Sequence, residues 1–293
     1  MRPFVAVVGA TGFIGTRLIA ALDRRGIATA RFDRTTPFLR AGRPVPELAA
    51  ARLVFYLAST INPALAVRHP ERIDEDHERF AALLRGLPER TTVVLTSSGG
   101  TVYGPHLAAP YHESMPTMPV TAYGFAKLNL ERELLAGTAR PVILRLSNVY
   151  GPGQRTSTLQ GVIGEWLLAA RSGRPLRVFG DPSARRDYVY VDDVVRALLR
   201  VHDLRARNLG TRIPRTLNIG SGTPVSLTEL AAAIRTTTGC PAPLAPEPAR
   251  GFDRHDVWLD CRLAARTLAW RATTSLTAGL AATWRLDHQP HLV

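Results

Sequence analysis

Residues 4–8, Phe-Val-Ala-Val-Val, form a short apolar run rich in β-branched residues, the pattern of a strand buried on both faces. Over residues 16–25 the period changes: Leu18, Ile19, Ala21 and Leu22 recur with helical spacing, and Gly26 closes the segment. Residues 27–32 predict a second strand ending at Asp33. Residues 35–51 carry Pro and Arg without a clear period; they predict at most one short helix, over 47–52, and no full third strand. Further strands are predicted at 52–58, 92–96 and 141–146, with helices at 70–87 and 121–136. Strands alternating with helices define an α/β chain built on a doubly wound parallel sheet, the Rossmann arrangement.

Beyond Tyr150 the pattern breaks at Gly151, Gly153, Gly173 and Gly180. Residues 162–171 and 227–235 predict helices, 189–201 predict one more strand-to-helix piece of the first domain, and the proline-rich 241–248 predict a loop. The expected organisation is a dinucleotide-binding domain from 1–149 and about 186–208, with a smaller α/β substrate domain from about 150–185 and 209–293. A length of 293 residues suits this division.

Composition narrows the function. The chain is 45% hydrophobic and 21% charged, ordinary for a soluble globular protein. No apolar run approaches ~20 residues, so no membrane span is expected, and the first apolar run is too short for a signal peptide. Cys240 and Cys261 lack metal-ligand spacing and predict free thiols in a reducing compartment, hence a cytoplasmic protein without a resident metal. The formal charge of +13 comes from scattered arginines with no block of like charge. That argues against nucleic acid and for an anionic small ligand.

Two stretches carry chemistry. Gly9-Ala-Thr-Gly12-Phe-Ile-Gly15 lies between the first strand and the first helix. There the glycines allow a tight turn, close approach to a pyrophosphate and close helix packing, and the helix N-terminus favours the negative charge. Asp33 can accept hydrogen bonds from a ribose diol and repel a 2′-phosphate, which favours NAD. Arg34 beside it could receive that phosphate, so NADP is the lesser alternative. The second stretch is Tyr123-Gly-Phe-Ala-Lys127. Lys127 is the sole lysine among 37 lysines and arginines. Four residues apart on a helix, Tyr123 and Lys127 share a face. An ammonium beside a phenol lowers its pKa and makes it a general base. Taken alone, such a pair is more often two residues on a solvated helix face.

Together these residues resemble the extended short-chain dehydrogenase/reductase family, more narrowly its nucleotide-sugar epimerase and dehydratase branch. The resemblance covers nearly the whole chain. It takes in the glycine turn, Val54–Ala58, Thr101-Val-Tyr-Gly104, Tyr123 and Lys127, Arg145–Gly153, Arg186–Asp193, Asn218–Gly222 and Arg250-Gly-Phe-Asp253. It implies that Gly9, Thr11, Gly12, Phe13, Ile14, Gly15, Asp33, Arg34, Leu57, Ala58 and Ser59 hold the cofactor together with Tyr123 and Lys127. It implies that Tyr123 deprotonates a sugar hydroxyl, and that Asn148, Phe179, Arg186, Arg250 and Asp253 hold a nucleotide diphosphate sugar. It also implies a homodimer through the helices near 70–87 and 121–136.

Four departures bear on the chemistry. Gly99 stands where the family carries the Ser or Thr that polarises the reacting oxygen, leaving Thr101, or else Ser98 or water, to take that part. Gly100 and Thr101 replace the Asp-Glu of the dehydratases, which argues against elimination of water. Asp76 replaces an Asn that orients backbone near the site. The acidic adenine contact after a third strand is missing. The implied activity is NAD-dependent C4 epimerisation of a nucleotide diphosphate hexose through a transient keto-sugar. The alternatives are NAD(P)H-dependent reduction of a 4-keto-6-deoxyhexose and a non-catalytic cofactor-binding protein.

Overall fold

The computed structural model describes residues 5–104, 107–137, 139–154, 161–206, 213–249 and 256–286. The chain runs β1 (Val5–Val8), α1 (Phe13–Arg24), β2 (Thr29–Phe32), a small hairpin of β3 (Leu39–Arg40) and β4 (Arg43–Pro44), α2 (Pro46–Ala49), β5 (Leu53–Tyr56), α3 (Pro63–Arg68), α4 (Glu71–Arg85), β6 (Thr92–Ser98), α5 (Ala122–Ala136) and β7 (Arg140–Leu146). It continues through β8 (Asn148–Tyr150), α6 (Val162–Arg171), β9 (Leu176–Phe179), β10 (Arg185–Tyr190), α7 (Val191–Ala206), β11 (Thr216–Ile219), β12 (Pro224–Ser226), α8 (Leu227–Thr238), β13 (Leu244–Glu247), β14 (Asp256–Val257), α9 (Arg262–Leu268) and α10 (Leu276–Leu286).

The main sheet has the order β11-β7-β6-β5-β1-β2, and every neighbouring pair in it is parallel. Successive side chains on a strand point to opposite faces. Val5, Val7, Leu53 and Phe55 therefore pack on one side with Leu18 and Leu22 of α1, Val194 of α7 and Leu268 of α9. Ala6, Val8, Val54 and Tyr56 pack on the other with Phe80 and Leu83 of α4 and Leu130 and Leu134 of α5. Both faces are covered, which is why these strands read as unbroken apolar runs.

The sheet ends at β2. Residues 35–51 form the hairpin and α2, with no further strand beside β2 among the described residues, as their lack of period predicts. From β1 the chain crosses to β2 on one side, and later to β5 on the other. That reversal opens a crevice at the carboxyl ends of β1 and β5, where such sheets bind ligands.

The remaining strands differ from expectation in three places. The helix predicted within 189–201 forms as α7 and packs on α1. Its leading strand, β10, instead joins β8, β12 and β14, because Tyr188 and Tyr190 pair with Asn148 and Tyr150. β11 enters the main sheet although it lies beyond residue 209. The proline-rich 241–248 contain β13, which pairs with β9; Pro246 is tolerated because a two-stranded ladder leaves each strand an edge that needs no donor. A separate core of Ile163, Trp166, Leu230, Ile234 and Leu280 fills this second region, and Trp166 Nε1 donates to the Arg177 carbonyl at 3.0 Å.

Candidate active site

The turn after β1 is shaped by contact with the chain leaving β5. Gly9 has φ +92, and a Cβ there would stand 2.8 Å from the Ala58 nitrogen. A Cβ on Gly15 would stand 2.0 Å from the Gly9 carbonyl oxygen, so α1 can approach the turn only with glycine at this position. Gly12 donates its N–H to Gly9 O at 3.0 Å and begins α1 with no side-chain cap and no acidic residue in the first turn. Thr11 and Gly12 are exposed, Phe13 and Ile14 half-buried. Across the turn, Leu57 donates to Val8 O at 2.9 Å. Leu57 and Ala58 are half-buried and Ser59 is exposed.

Asp33 stands beside this turn, since Gly9 and Ala10 both donate to the carbonyl of Phe32. Its Oδ1 accepts from the Thr35 hydroxyl at 2.8 Å and from the N–H groups of Thr35 and Thr36 at 2.8 and 2.9 Å. The Thr35 hydroxyl above all, then these N–H groups, hold its carboxyl below the ordinary range. Arg34 next to it is exposed. A backbone cradle that a Cβ would fill, a helix N-terminus without a cap and an ionised acid at the end of β2 fit a dinucleotide. Gly9 to Gly15 would receive the pyrophosphate and Asp33 the ribose diol. With the sheet ending at β2, the adenine side has no third strand behind it. No group of three or more His, Cys, Asp or Glu residues is placed to hold a metal among the described residues.

The second glycine-bearing turn, at the carboxyl end of β6, faces the start of α5. Thr121 caps α5 by accepting the Gly124 N–H at 3.0 Å. A Cβ on Gly124 would stand 2.6 Å from the Thr101 carbonyl oxygen, so the first turn of α5 rests on the Thr101 turn. Tyr123 is half-buried and Lys127 buried, with Lys127 Nζ 5.6 Å from the centre of the Tyr123 ring. Burial, then Asp76, push the Tyr123 phenol up to about 12. Burial pushes Lys127 down, opposed by Asp76 and Glu131. This differs from the lowered tyrosine that the Tyr-Lys spacing predicts. Desolvation of the phenol dominates, and bound cofactor would add the positive charge of an oxidised nicotinamide.

Ser98, the last residue of β6, is half-buried and its carbonyl accepts the Val102 N–H at 3.2 Å. Gly99 donates to Leu146 O at 2.8 Å. A Cβ on Gly99 would stand 2.6 Å from Leu259 Cδ1: a leucine from the far end of the chain fills the space beside it. Thr101 Oγ1 is buried without a hydrogen-bond partner among the described residues, a costly state for a hydroxyl and one that a ligand oxygen would relieve.

The expected substrate residues stand on the second region. Asn148 is exposed on β8 and donates Nδ2 to the Asp187 carbonyl at 3.0 Å. Arg186 is half-buried on β10 and donates Nη1 to Arg185 O at 3.0 Å. Phe179 ends β9, half-buried, under the Arg177 guanidinium at 5.6 Å. Arg250 and Asp253 lie outside the described residues.

Several supporting contacts were not legible from spacing. Asp76 is buried and accepts the Thr60 N–H at 2.8 Å, so a carboxylate does orient the backbone where the family carries an amide. Glu131, one turn after Lys127, pairs with Arg145 at 2.6 Å, both nearly enclosed. Arg145 lies 4.8 Å from the Tyr103 ring centre, and Tyr103 OH donates to Asn218 Oδ1 at 2.8 Å. Asp187 is fully buried and accepts the Ser221 N–H and hydroxyl at 2.8 and 2.6 Å. Arg145, Asp187 and Asn218 stand within motifs read from the sequence, but their partners Tyr103, Ser221 and Tyr111 are remote in it.

Comparison with known proteins places this geometry. The model of the NAD dependent epimerase/dehydratase family matches residues 5–220. A UDP-glucose 4-epimerase of Mycolicibacterium smegmatis is 31% identical, over 94% of this chain and 96% of its own. A dTDP-4-dehydro-6-deoxyglucose reductase of Escherichia coli is 27% identical, over 94% of this chain and 95% of its own. The crystal structure of the UDP-glucose 4-epimerase of Thermotoga maritima with UDP-glucose superposes with a TM-score of 0.84 at 26% identity, covering 96% of this chain and 97% of that one. With the glycine cradle, the acid at β2 and the family match in agreement, this chain belongs to the NAD dependent epimerase/dehydratase family, with NAD as its cofactor.

Proposed function

We propose that this enzyme oxidises and reduces a nucleotide diphosphate sugar at C4, and that the net reaction is epimerisation. The observation that carries the reading is the Tyr123–Lys127 pair seated on the turn that holds the unpartnered Thr101 hydroxyl. Tyr123 takes the C4 hydroxyl proton and returns it. Lys127 stabilises the phenolate and reaches the nicotinamide ribose. Thr101 donates to the C4 oxygen as its charge develops, with Ser98 as the alternative donor. When bound, NAD supplies the acceptor and donor of the C4 hydride. Arg186 suits the diphosphate because guanidinium pairs with it in a bidentate way; Asn148, Phe179, Arg250 and Asp253 complete the substrate side. Gly100 and Thr101, in place of two acids, disfavour loss of water.

A second reading is reduction of a 4-keto-6-deoxy sugar. It is favoured by the sheet's ending at β2, which leaves the adenine less enclosed and the cofactor more readily exchanged. Relatives named for each activity match this chain. One experiment separates the two. Bound nicotinamide is released by denaturation and identified by mass, then UDP- and dTDP-sugars are added. Retained NAD with sugar interconversion and no net absorbance change supports epimerisation. Protein that oxidises added NADH or NADPH only with a 4-keto sugar establishes the reductase and overturns the first reading.

We read the protein as a cytoplasmic homodimer through α4 and α5. Phe125 on α5 is 50% exposed, and no helix among the described residues is long and apolar enough to cross a membrane. The main sheet with its helices is read as the cofactor unit, and the β8–β10–β12–β14 sheet with α6, α8 and α10 as the substrate unit.

A further inference from the structure

The proposed chemistry needs two groups to meet at one sugar oxygen, and the fold supplies them from different elements. Tyr123 and Lys127 stand on α5, Thr101 on the turn that follows β6. The two elements touch at Gly124, where a Cβ would stand 2.6 Å from the Thr101 carbonyl oxygen. A single point of contact leaves a helix free to pivot. Arg145 of β7 makes a second. Its Nε and Nη2 donate to the Glu131 carboxylate of α5, at 3.1 Å to Oε1 and 2.6 Å to Oε2. The same guanidinium lies 4.8 Å from the centre of the Tyr103 ring, two residues after Thr101. Tyr103 is held in turn: its hydroxyl donates to Asn218 Oδ1 at 2.8 Å, and its ring centre lies 5.2 Å from that of Tyr111. One side chain thus touches both the helix of the pair and the turn of the hydroxyl.

We propose that Arg145 is a positioning residue that holds α5 and the Thr101 turn in one relation, so that the Tyr123 phenol and the Thr101 hydroxyl reach the same oxygen. The proposal rests on the reading of Tyr123 as the base and Thr101 as the donor. Stability is a poor account of the ion pair. Its side chains are 7% and 1% exposed, and a buried pair is often replaced by apolar residues without loss of stability. Leu130 and Leu134, beside Glu131 on α5, already pack on the sheet, so apolar contact is available there without it. What an apolar pair lacks is direction. A guanidinium donates two bonds to a carboxylate in a fixed plane and presents a flat face to an aromatic ring; lysine offers neither the fork nor the plane. β7 also follows the chain up to the turn. Ser97 is the register partner of Arg145, and Gly99 donates to Leu146 O at 2.8 Å.

Arg145→Lys keeps the charge and removes the fork and the flat face. We expect kcat to fall about 10- to 100-fold, while KM and NAD affinity stay within about twofold. In a Thr101→Val background the same change should cost little more, because the donor that Arg145 positions is already gone. Equal losses of kcat in both backgrounds would overturn the proposal. So would a variant that loses melting temperature yet keeps full kcat while folded. If Arg145→Lys does not fold, Glu131→Leu with Arg145→Met removes both charges together, and the same two backgrounds are compared. If neither folds, native-state hydrogen exchange of the wild type decides. Val102 and Tyr103 opening in one step with α5, at the same denaturant dependence, supports the tie; separate openings overturn it. That exchange needs no substrate. Absence of turnover with every nucleotide sugar would therefore defeat the functional reading, and the joint opening would still decide whether Arg145 binds helix and turn together.

Discussion

Two glycine-bearing turns leave the carboxyl ends of neighbouring parts of the main sheet, and glycine serves a different purpose in each. In the turn at residues 9–15 it makes room for backbone: Gly9 against Ala58, Gly15 against Gly9. In the turn at 99–101 it makes room for a side chain, Leu259, which arrives from the far end of the chain. The first turn is closed by its own residues, Gly12 to Gly9 and Gly15 against Gly9, and is crossed by backbone at Phe32 and Ala58. The second is a tertiary device, and it leaves no side chain at the position where the resemblance expects a hydroxyl. The contrast shows that a glycine motif states a need for space without stating what fills it.

The largest effect should come from separating chemistry from cofactor binding. Tyr123→Phe removes the proposed base, on the helix whose first turn rests on the second turn, and leaves the first turn intact. Turnover should fall by about 10²–10⁴-fold while NAD affinity, followed by calorimetry, is retained. Thr101→Val sharpens the role of the unpartnered hydroxyl. We expect kcat to drop by about 10²-fold and the melting temperature to hold or rise, because a buried hydroxyl without a partner disappears. A valine variant with full activity would pass the donor role to Ser98.

Gly15→Ala tests the first turn. Its methyl meets Gly9 O, a backbone atom with nowhere to go, so stability should fall by about 1–3 kcal/mol in denaturant titration and NAD binding should be lost. Gly99→Ser tests the second turn, where the obstacle is the end of a side chain and the cost is correspondingly smaller. About 1 kcal/mol is expected. Adding Leu259→Ala should make the serine less costly than the sum of the single changes; strict additivity would separate the two positions. The smallest effect concerns Asp33. Its carboxyl titrates below the ordinary value in the folded protein, so its contribution is present above the unfolded pKa and lost as pH falls through the folded one. Asp33→Asn should flatten the acid side of melting temperature against pH below roughly pH 4.

Much of the candidate site's local geometry was legible in the chain because its parts are local. The glycine turn with its strand and helix, Asp33 at the end of β2 and the Tyr123–Lys127 spacing each span a few residues, and helical or strand period carries their geometry. The missing third strand was legible too, as an absence of period over 35–51. What escaped were pairings across the sequence: Asp76 with Thr60, Glu131 with Arg145, Leu259 with Gly99, and β10 with β8. The direction of the Tyr123 pKa also escaped, because spacing brings the lysine near but says nothing of how much water the fold removes from the phenol.

The sequence by itself determined the doubly wound sheet, the cofactor turn and the helix that carries the pair, since hydrogen bonding and side-chain period are local properties of the backbone. Only the tertiary structure decided that the sheet recruits β11 from beyond residue 209, that Leu259 occupies the place beside Gly99, and that Asp76 holds the Thr60 N–H. Those outcomes depend on packing and desolvation, which are set by residues brought together from distant parts of the chain.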